Sequence, residues 1–206
     1  LAHPRGGDYN LRVLKETVRK IVAATTELMG DVPFPSYTFV YHFSDAPGGG
    51  MEYRNGTSIY GPTRCGECDM SGLTAHEFFH VWNIKRIRPQ SLQPIDFTQP
   101  NYSPSLWFSE GVTSAYSEYI RLRSGLRSEA DFLARLGRLI TNHERRPASR
   151  TQSAEESSIE AWLERHPAYG RPDRSTSYYL KGEIVAHLLD LSIRHWTENR
   201  RSLDDV

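Results

Sequence analysis

The segment that decides the fold is residues 71–84, with the sequence SGLTAHEFFHVWNI. Its apolar residues recur at helical spacing and Ser71 can cap a helix, so we predict a helix from Ser71 to about Ile84. Side chains four residues apart lie on the same face of a helix. His76 and His80 are therefore predicted to point the same way and to reach one metal ion.

Glu77 follows the first of these histidines and completes an H-E-x-x-H pattern. On a helix this pattern is typical of a zinc site in which the glutamate stands beside the ion and accepts a proton from its water. The pattern predicts one Zn²⁺ ion as the cofactor and Glu77 as the general base. The alternative is a helix whose histidines only pack in the core or face solvent.

A second carboxylate that could serve the metal is Glu110, in the apolar segment Leu106-Trp-Phe-Ser-Glu110-Gly111. A carboxylate among apolar residues needs a partner, and a metal ion is a good one. His76, His80 and Glu110 would form a two-histidine, one-glutamate set that leaves the fourth tetrahedral position open. The alternative for Glu110 is a charge stabilised by a helix N-terminus. Glu118 is a second candidate ligand.

The composition limits the classes of partner. Lys and Arg together number 25, as do Asp and Glu, so no net field favours nucleic acid or anionic lipid. No apolar run approaches the roughly 20 residues that span a bilayer. The two cysteines, Cys65 and Cys68, predict a local disulfide or two free thiols. Leu1 is not an initiator Met, so we expect a piece of a longer chain, of undetermined compartment and oligomeric state.

The periodicity of the whole chain predicts an α+β fold that is mostly helical. We expect a single domain over residues 1–206, with a helix and a small β portion in residues 1–70 and a helical lobe after residue 71. A glycine-rich turn, Gly48 to Gly50, should lie between two predicted strands of the β portion. Besides the helix at Ser71, the pattern predicts helices at about Tyr9–Met29, Ser105–Arg123, Ser128–Arg145, Ala154–Arg165 and Ser177–Trp196, and strands at Tyr37–Phe43 and Thr57–Tyr60.

A longer pattern carries a resemblance to a known family. Residues 76–89, HEFFHVWNIKRIRP, with LWFSEG at 106–111, resemble the extended zinc-helix signature of the glycyl aminopeptidase family of zinc metallopeptidases. Members of that family often carry a PDZ domain after the catalytic domain. The resemblance runs from Tyr37 to Gly182. It implies a thermolysin-like catalytic domain from a bacterial enzyme with a peptide substrate.

The segment Gly49-Gly50-Met51-Glu52 is similar to the G-x-M-E strand of the wider zinc aminopeptidase group. By this resemblance Glu52 holds the free amino terminus of the substrate, and Gly50 and Met51 belong to the substrate-binding residues. Tyr53 stands where the wider group usually has Asn. The alternative for Glu52 is a carboxylate on an edge strand that faces water.

Tyr179-Leu180-Lys181-Gly182 looks like the Y-x-K-G element of these peptidases. The resemblance implies that the Tyr179 hydroxyl donates to the tetrahedral intermediate, a stabilisation that grows in the transition state. Tyr178 could take the same role. The alternative is that both tyrosines pack at a helix start with hydrated hydroxyls.

Taken together, these residues predict a zinc-dependent peptidase, and by resemblance an aminopeptidase. One alternative is an endopeptidase with the same zinc site, in which Glu52 binds no amine. The other is a non-catalytic interaction scaffold that keeps zinc for stability. Lys85, Arg86 and Arg88 could pair with carboxylates of the protein, face solvent or bind a substrate carboxylate, and we assign them no catalytic role.

Overall fold

The computed structural model describes residues 2–4, 8–44, 48–65, 68–96, 98–163 and 173–206. The chain forms two compact units. The first unit comprises residues 1–87 and 116–129, and the second comprises residues 88–115 and 130–206. The predicted α+β class, mostly helical with a small β portion near the N-terminus, is confirmed.

The β portion lies in the first unit. Four strands form one sheet in the order β1-β3-β5-β4, and two short strands, β2 and β6, form a parallel pair. Strands β1, β3 and β5 are parallel, whereas β4 runs antiparallel to β5. The strands are β1 Ala2–Pro4, β2 Asp8–Tyr9, β3 Thr38–Phe43, β4 Gly49–Tyr53, β5 Gly56–Gly61 and β6 Arg64–Cys65.

The helices follow the predicted order. The prediction at Ala154 was too long, since that helix ends at Ile159 before a short 3-10 turn, and residues 164 and 165 lie outside the described residues. None of the helices in the described ranges is long and apolar enough to cross a membrane. The helices are α1 Leu11–Met29, α2 Ser71–Phe79, α3 Thr113–Arg123, α4 Glu129–Glu144, α5 Ala154–Ile159 and α6 Tyr178–Trp196, with a π-helical segment at Trp107–Val112.

Helix α1 has a cap at each end. The Asn10 side chain accepts a hydrogen bond from the backbone N–H of Val13 at 3.1 Å. Gly30 ends the helix with φ 67°, in the left-handed region that favours glycine. Leu14 and Val18 of this helix pack against the buried core of the sheet. The apolar face of α1 therefore covers one side of the sheet.

Helix α2 packs on the same face of that sheet. Alternation along a strand puts Tyr41 and Phe43 on one face, and Ile59 is paired with Tyr41, so these three buried side chains share it. The Tyr41 hydroxyl lies 2.9 Å from the Thr74 hydroxyl of α2. Burial raises the pKa of Tyr41 to about 12, so the phenol stays neutral. This buried hydrogen bond fixes α2 over the sheet.

Helix α2 is shorter than the sequence predicted. It ends at Phe79, and His80 is its C-terminal cap. Beyond it the chain turns, and Ile84 has φ 137°, which an α-helix cannot accommodate. The turn is held from outside, because Asp31 accepts hydrogen bonds from the Trp82 indole and the Arg86 guanidinium. These tertiary contacts, which periodicity does not reveal, override the helical pattern.

The second unit is built around a close contact between the π-helical segment and α6. A Cβ added to Gly111 would overlap the backbone of Gly182, and one added to Gly182 would overlap the carbonyl group of Trp107. The two backbones can approach this closely only because both positions are glycine. Ser177 caps α6, since its hydroxyl accepts a hydrogen bond from the N–H of Leu180 at 3.4 Å.

Candidate metal centre and active site

The histidine pair on α2 has the geometry of a metal-binding pair. The ring centroids of His76 and His80 lie 4.7 Å apart with an interplanar angle of 87°. One ring nitrogen of each lies within 4.8 Å of the other. His80 Nδ1 lies 2.8 Å from the backbone carbonyl oxygen of Asn83 and donates to it. Such a bond fixes the ring and directs Nε2 towards a ligand.

Glu77 is held against strand β4. The residue is only 5% exposed. A Cβ added to Gly50 would overlap the Glu77 carboxylate, so the glycine provides the space in which this carboxylate lies. Gly50 is paired with Ile59 and therefore faces the helix-covered side of the sheet. The sequence placed Gly49 and Gly50 both in a turn and in a strand, and the structure places them in β4.

Glu52 lies on the same face of β4, two residues further on. Its carboxylate, the Glu77 carboxylate and a ring nitrogen of His80 each have an atom within 4.8 Å of the others. Glu52 Oε1 also accepts a hydrogen bond from the ammonium group of Lys85 at 2.8 Å. The sequence analysis allowed Lys85 to pair with a carboxylate of the protein, but nothing in its spacing from Glu52 marks that residue as the partner.

Tyr37 is a residue of this region that the sequence did not single out as a site residue. Its hydroxyl is buried, and no residue in the described ranges hydrogen-bonds to it. Burial raises the pKa of Tyr37, and the nearby carboxylates of Glu77 and Glu52 raise it further. The phenol is therefore a neutral group beside two carboxylates. Its position before β3 gave no sequence signal for this.

The second unit carries the other predicted site residues. Glu110 is half-buried on the π-helical segment, a rare conformation that is frequent at functional sites. Tyr178 is buried at the start of α6 and its neighbour Tyr179 is partly exposed, with the two ring centroids 4.8 Å apart. The contact between Gly111 and Gly182 places the segment that carries Glu110 against the helix that carries Tyr179.

Glu118, the second candidate ligand, is bound elsewhere. Its side chain is buried, and its two carboxylate oxygens lie 2.8 Å from Arg121 and 3.0 Å from Arg127. Arg121 also contacts Asp69 and donates to the Ser71 hydroxyl at 2.8 Å, next to the start of α2. Glu118 therefore belongs to a buried ion-pair network that anchors α2.

The donor atoms in the first unit fit a zinc ion. Imidazole nitrogens suit zinc, and a histidine whose second ring nitrogen is bound to a backbone carbonyl is the usual form of such a ligand. His80 has this arrangement through Asn83. Cys68 is in a disulfide and is not available as a zinc thiolate.

Comparison with known proteins places the chain in a class of peptidases. The sequence pattern of one family matches residues 69–185, more than half of the 206 residues. The chain belongs to that family, the M61 glycyl aminopeptidases. The resemblance seen in the sequence is thus confirmed.

A solved structure, that of an aminopeptidase N family protein from Idiomarina loihiensis, is similar to this chain. The TM-score is 0.88 at 28% sequence identity, and the similarity covers 98% of this chain and 36% of that protein. The chain therefore spans little more than a third of that relative. No curated protein matches the chain.

Proposed function

We propose that this chain is the catalytic part of a zinc-dependent aminopeptidase with a thermolysin-like fold. The observation that carries the proposal is the position of Glu77. Its buried carboxylate lies against β4 in the space beside Gly50, and it is on the same helix as His76 and His80. A buried carboxylate beside a pair of imidazoles is what a general base in metal-assisted hydrolysis requires. Membership of the M61 family supports the same reaction class.

In this proposal His76, His80 and Glu110 hold one Zn²⁺ ion. Two imidazoles and one carboxylate leave a coordination position open, which distinguishes a catalytic site from a structural one. When bound, the ion polarises the scissile carbonyl and makes water acidic enough to react near neutral pH. The hydrogen bond from His80 Nδ1 to the Asn83 carbonyl keeps the ring in the orientation that this role needs.

Glu77 is the proton carrier of the proposed mechanism. Its carboxylate accepts a proton from the attacking water and transfers it to the nitrogen of the leaving amine as the peptide bond breaks. The space left by Gly50 keeps this carboxylate close to the strand. Tyr179, which is partly exposed whereas Tyr178 is buried, donates its hydroxyl proton in a hydrogen bond to the developing oxyanion.

Strand β4 is the proposed substrate-binding element. It is the last strand of the described sheet, so its outer edge can pair with an extended peptide along Gly50 and Met51. Glu52 would bind the α-ammonium group of the substrate by a charge-assisted hydrogen bond. This contact would fix the cleavage point near a free amino terminus and make the enzyme an exopeptidase.

The test is hydrolysis of trialanine and N-acetyl-trialanine by the zinc-loaded protein. We expect cleavage of trialanine and little cleavage of the acetylated peptide. Glu77→Gln should abolish hydrolysis, because the amide cannot accept the proton. Glu52→Gln should remove the preference for the free amine. Activity that survives Glu77→Gln would contradict the proposed base.

The pairing of Glu52 with Lys85 favours one second candidate, an endopeptidase with the same catalytic residues. The ammonium of Lys85 already binds one oxygen of Glu52, which reduces the need for an amine from the substrate. Equal cleavage of the free and acetylated peptides, unaffected by Glu52→Gln, would establish this alternative.

A further inference from the structure

The ion pair between Lys85 and Glu52 lies beside the proposed catalytic base. Lys85 Nζ is 2.8 Å from Glu52 Oε1, and the two side chains are 26% and 23% exposed. A carboxylate oxygen of Glu52 is also within 4.8 Å of one from Glu77. Two carboxylates this close repel each other, so a cation at Glu52 stabilises the pair in the absence of a peptide.

The Lys85 side chain carries the same functional group as an unblocked amino terminus. Both are alkylammonium ions that donate hydrogen bonds to a carboxylate. Because Lys85 Nζ lies at the Glu52 carboxylate and two ammonium ions at one carboxylate repel each other, the α-ammonium of a peptide competes with Lys85 there. Solvent-exposed ion pairs change an equilibrium constant by up to about fivefold, and because both side chains here are partly exposed, a substrate amine can replace Lys85.

The position of Lys85 is set by the backbone. Its N–H donates to the carbonyl of His80 at 3.1 Å, within the turn that follows α2. Ile84 has φ 137°, a conformation that β-branched residues avoid and that persists only when the surroundings impose it. The next residue, Arg86, is bound to Asp31. The turn therefore directs Lys85 towards Glu52 by several independent contacts.

We propose that Lys85 is a specificity-determining residue, an internal counter-ion of Glu52 that the free amino terminus of the substrate displaces. The inference rests on the proposed role of Glu52 in binding that amino terminus. Lys85 makes the enzyme less selective for free amines than Glu52 alone would be. It also offsets the repulsion between the Glu52 and Glu77 carboxylates when no peptide is bound.

The experiment replaces Lys85 by Met, which removes the charge and keeps an aliphatic stem of similar length. The ratio of kcat/KM for trialanine to that for N-acetyl-trialanine is measured for the zinc-loaded protein. We expect Lys85→Met to raise this ratio by about fivefold, chiefly through a lower KM for trialanine. Lys85→Arg retains a cation at Glu52 and should keep the ratio of the unsubstituted protein.

A double variant, Lys85→Met with Glu52→Gln, assigns the effect to the pair. If Lys85 acts through Glu52, its replacement changes the ratio less than twofold once Glu52 is gone. An unchanged or lower ratio in Lys85→Met alone would overturn the proposal, since Lys85 would then position Glu52 or play no part. Thermal unfolding of each variant identifies any change that comes from misfolding, and Lys85→Gln repeats the test should Lys85→Met fail to fold.

The same measurements separate this inference from the proposed function. If Glu52→Gln leaves the ratio of the unsubstituted protein intact, Glu52 does not bind the amine and the exopeptidase proposal fails, whatever Lys85 does. If Glu52→Gln abolishes the preference for the free amine while Lys85→Met leaves that preference unchanged, the exopeptidase proposal stands and the proposal for Lys85 fails.

Discussion

The carboxylate of Glu77 occupies the space that any side chain at position 50 would need. Gly50 belongs to β4 and Glu77 to α2, so a helix and an edge strand meet here without an intervening side chain. The contact links the candidate base to the strand that is proposed to bind the substrate. A single added methyl group tests whether this placement matters.

Gly50→Ala should lower kcat/KM for trialanine by about 100-fold, because displacing a catalytic group by about 1 Å has effects of that size. The added Cβ would force the Glu77 carboxylate away from β4. Gly49→Ala is the matched control, since its Cβ would meet no atom within 4 Å. Equal activity of the two variants would show that Glu77 tolerates the displacement. Steady-state kinetics and the thermal midpoint are measured for both.

Substitution of two glutamates in turn should distinguish a metal ligand from a residue whose charge only stabilises the fold. Glu110→Gln should weaken zinc binding by at least about tenfold with little loss of stability, because it removes a proposed ligand. Glu118→Gln should retain zinc but lower the free energy of unfolding by about 3 kcal/mol, because it leaves Arg121 and Arg127 without their buried counter-charge. Atomic absorption after gel filtration and urea unfolding measure the two effects. Full zinc content in Glu110→Gln would exclude it as a ligand.

The close contact in the second unit should tolerate no side chain. Gly182→Ala would push a Cβ into the carbonyl group of Trp107, and we expect the free energy of unfolding to fall by about 1–3 kcal/mol. Gly137 lies in the middle of α4 and faces solvent, so Gly137→Ala should instead raise the free energy of unfolding by about 0.5–1 kcal/mol. Urea unfolding compares the two variants. A stabilising Gly182→Ala would mean that the backbones can separate at no cost.

Glu183 should make stability fall in acid. Burial alone would raise the pKa of Glu183, but hydrogen bonds and charges from His187 and Arg135 outweigh it and lower the pKa. A lowered folded pKa contributes stability above the unfolded value of about 4.3, and this is lost as pH falls through the folded value. The Glu183→Gln variant should therefore be less stable than the unsubstituted protein at pH 7. Below about pH 4.5 its free energy of unfolding should change less with pH.

The check on Glu183 is urea unfolding at intervals from pH 3 to pH 7. Glu155→Gln, at an exposed position of α5, serves as the control and should follow the unsubstituted protein. Parallel curves for Glu183→Gln and the unsubstituted protein would exclude Glu183 as the source of the acid sensitivity.

The sequence predicted most elements of the fold because their signals are local. Helix α1 lies close to the predicted range Tyr9–Met29, with Asn10 and Gly30 as its caps, and Ser177 caps α6. Helix α2 was predicted too long because the contacts of Asp31 with the turn come from far along the chain. The segment Trp107–Val112 was predicted as part of an α-helix but is π-helical, a difference that the spacing of apolar residues cannot reveal.

In the candidate site, too, local features were predictable from the sequence and contacts between distant segments were not. The four-residue spacing of His76 and His80 is a property of one helix, and the structure confirms that the two rings are adjacent. The partners in contacts between distant segments could not be named from the sequence, and the ion pair of Lys85 with Glu52 is the clearest case. The roles of Glu52, Glu110 and Tyr179 stay predictions, and the experiments above address those of Glu52 and Glu110.

The turn at Ile84 has a consequence for how the site is assembled during folding. Because a β-branched residue disfavours φ 137°, a peptide that comprises only residues 71–88 should not form this turn by itself. The sheet and the Asp31 contacts must already be in place before Lys85 can reach Glu52. We therefore expect the charge balance around Glu77 to depend on tertiary structure that α2 alone cannot supply.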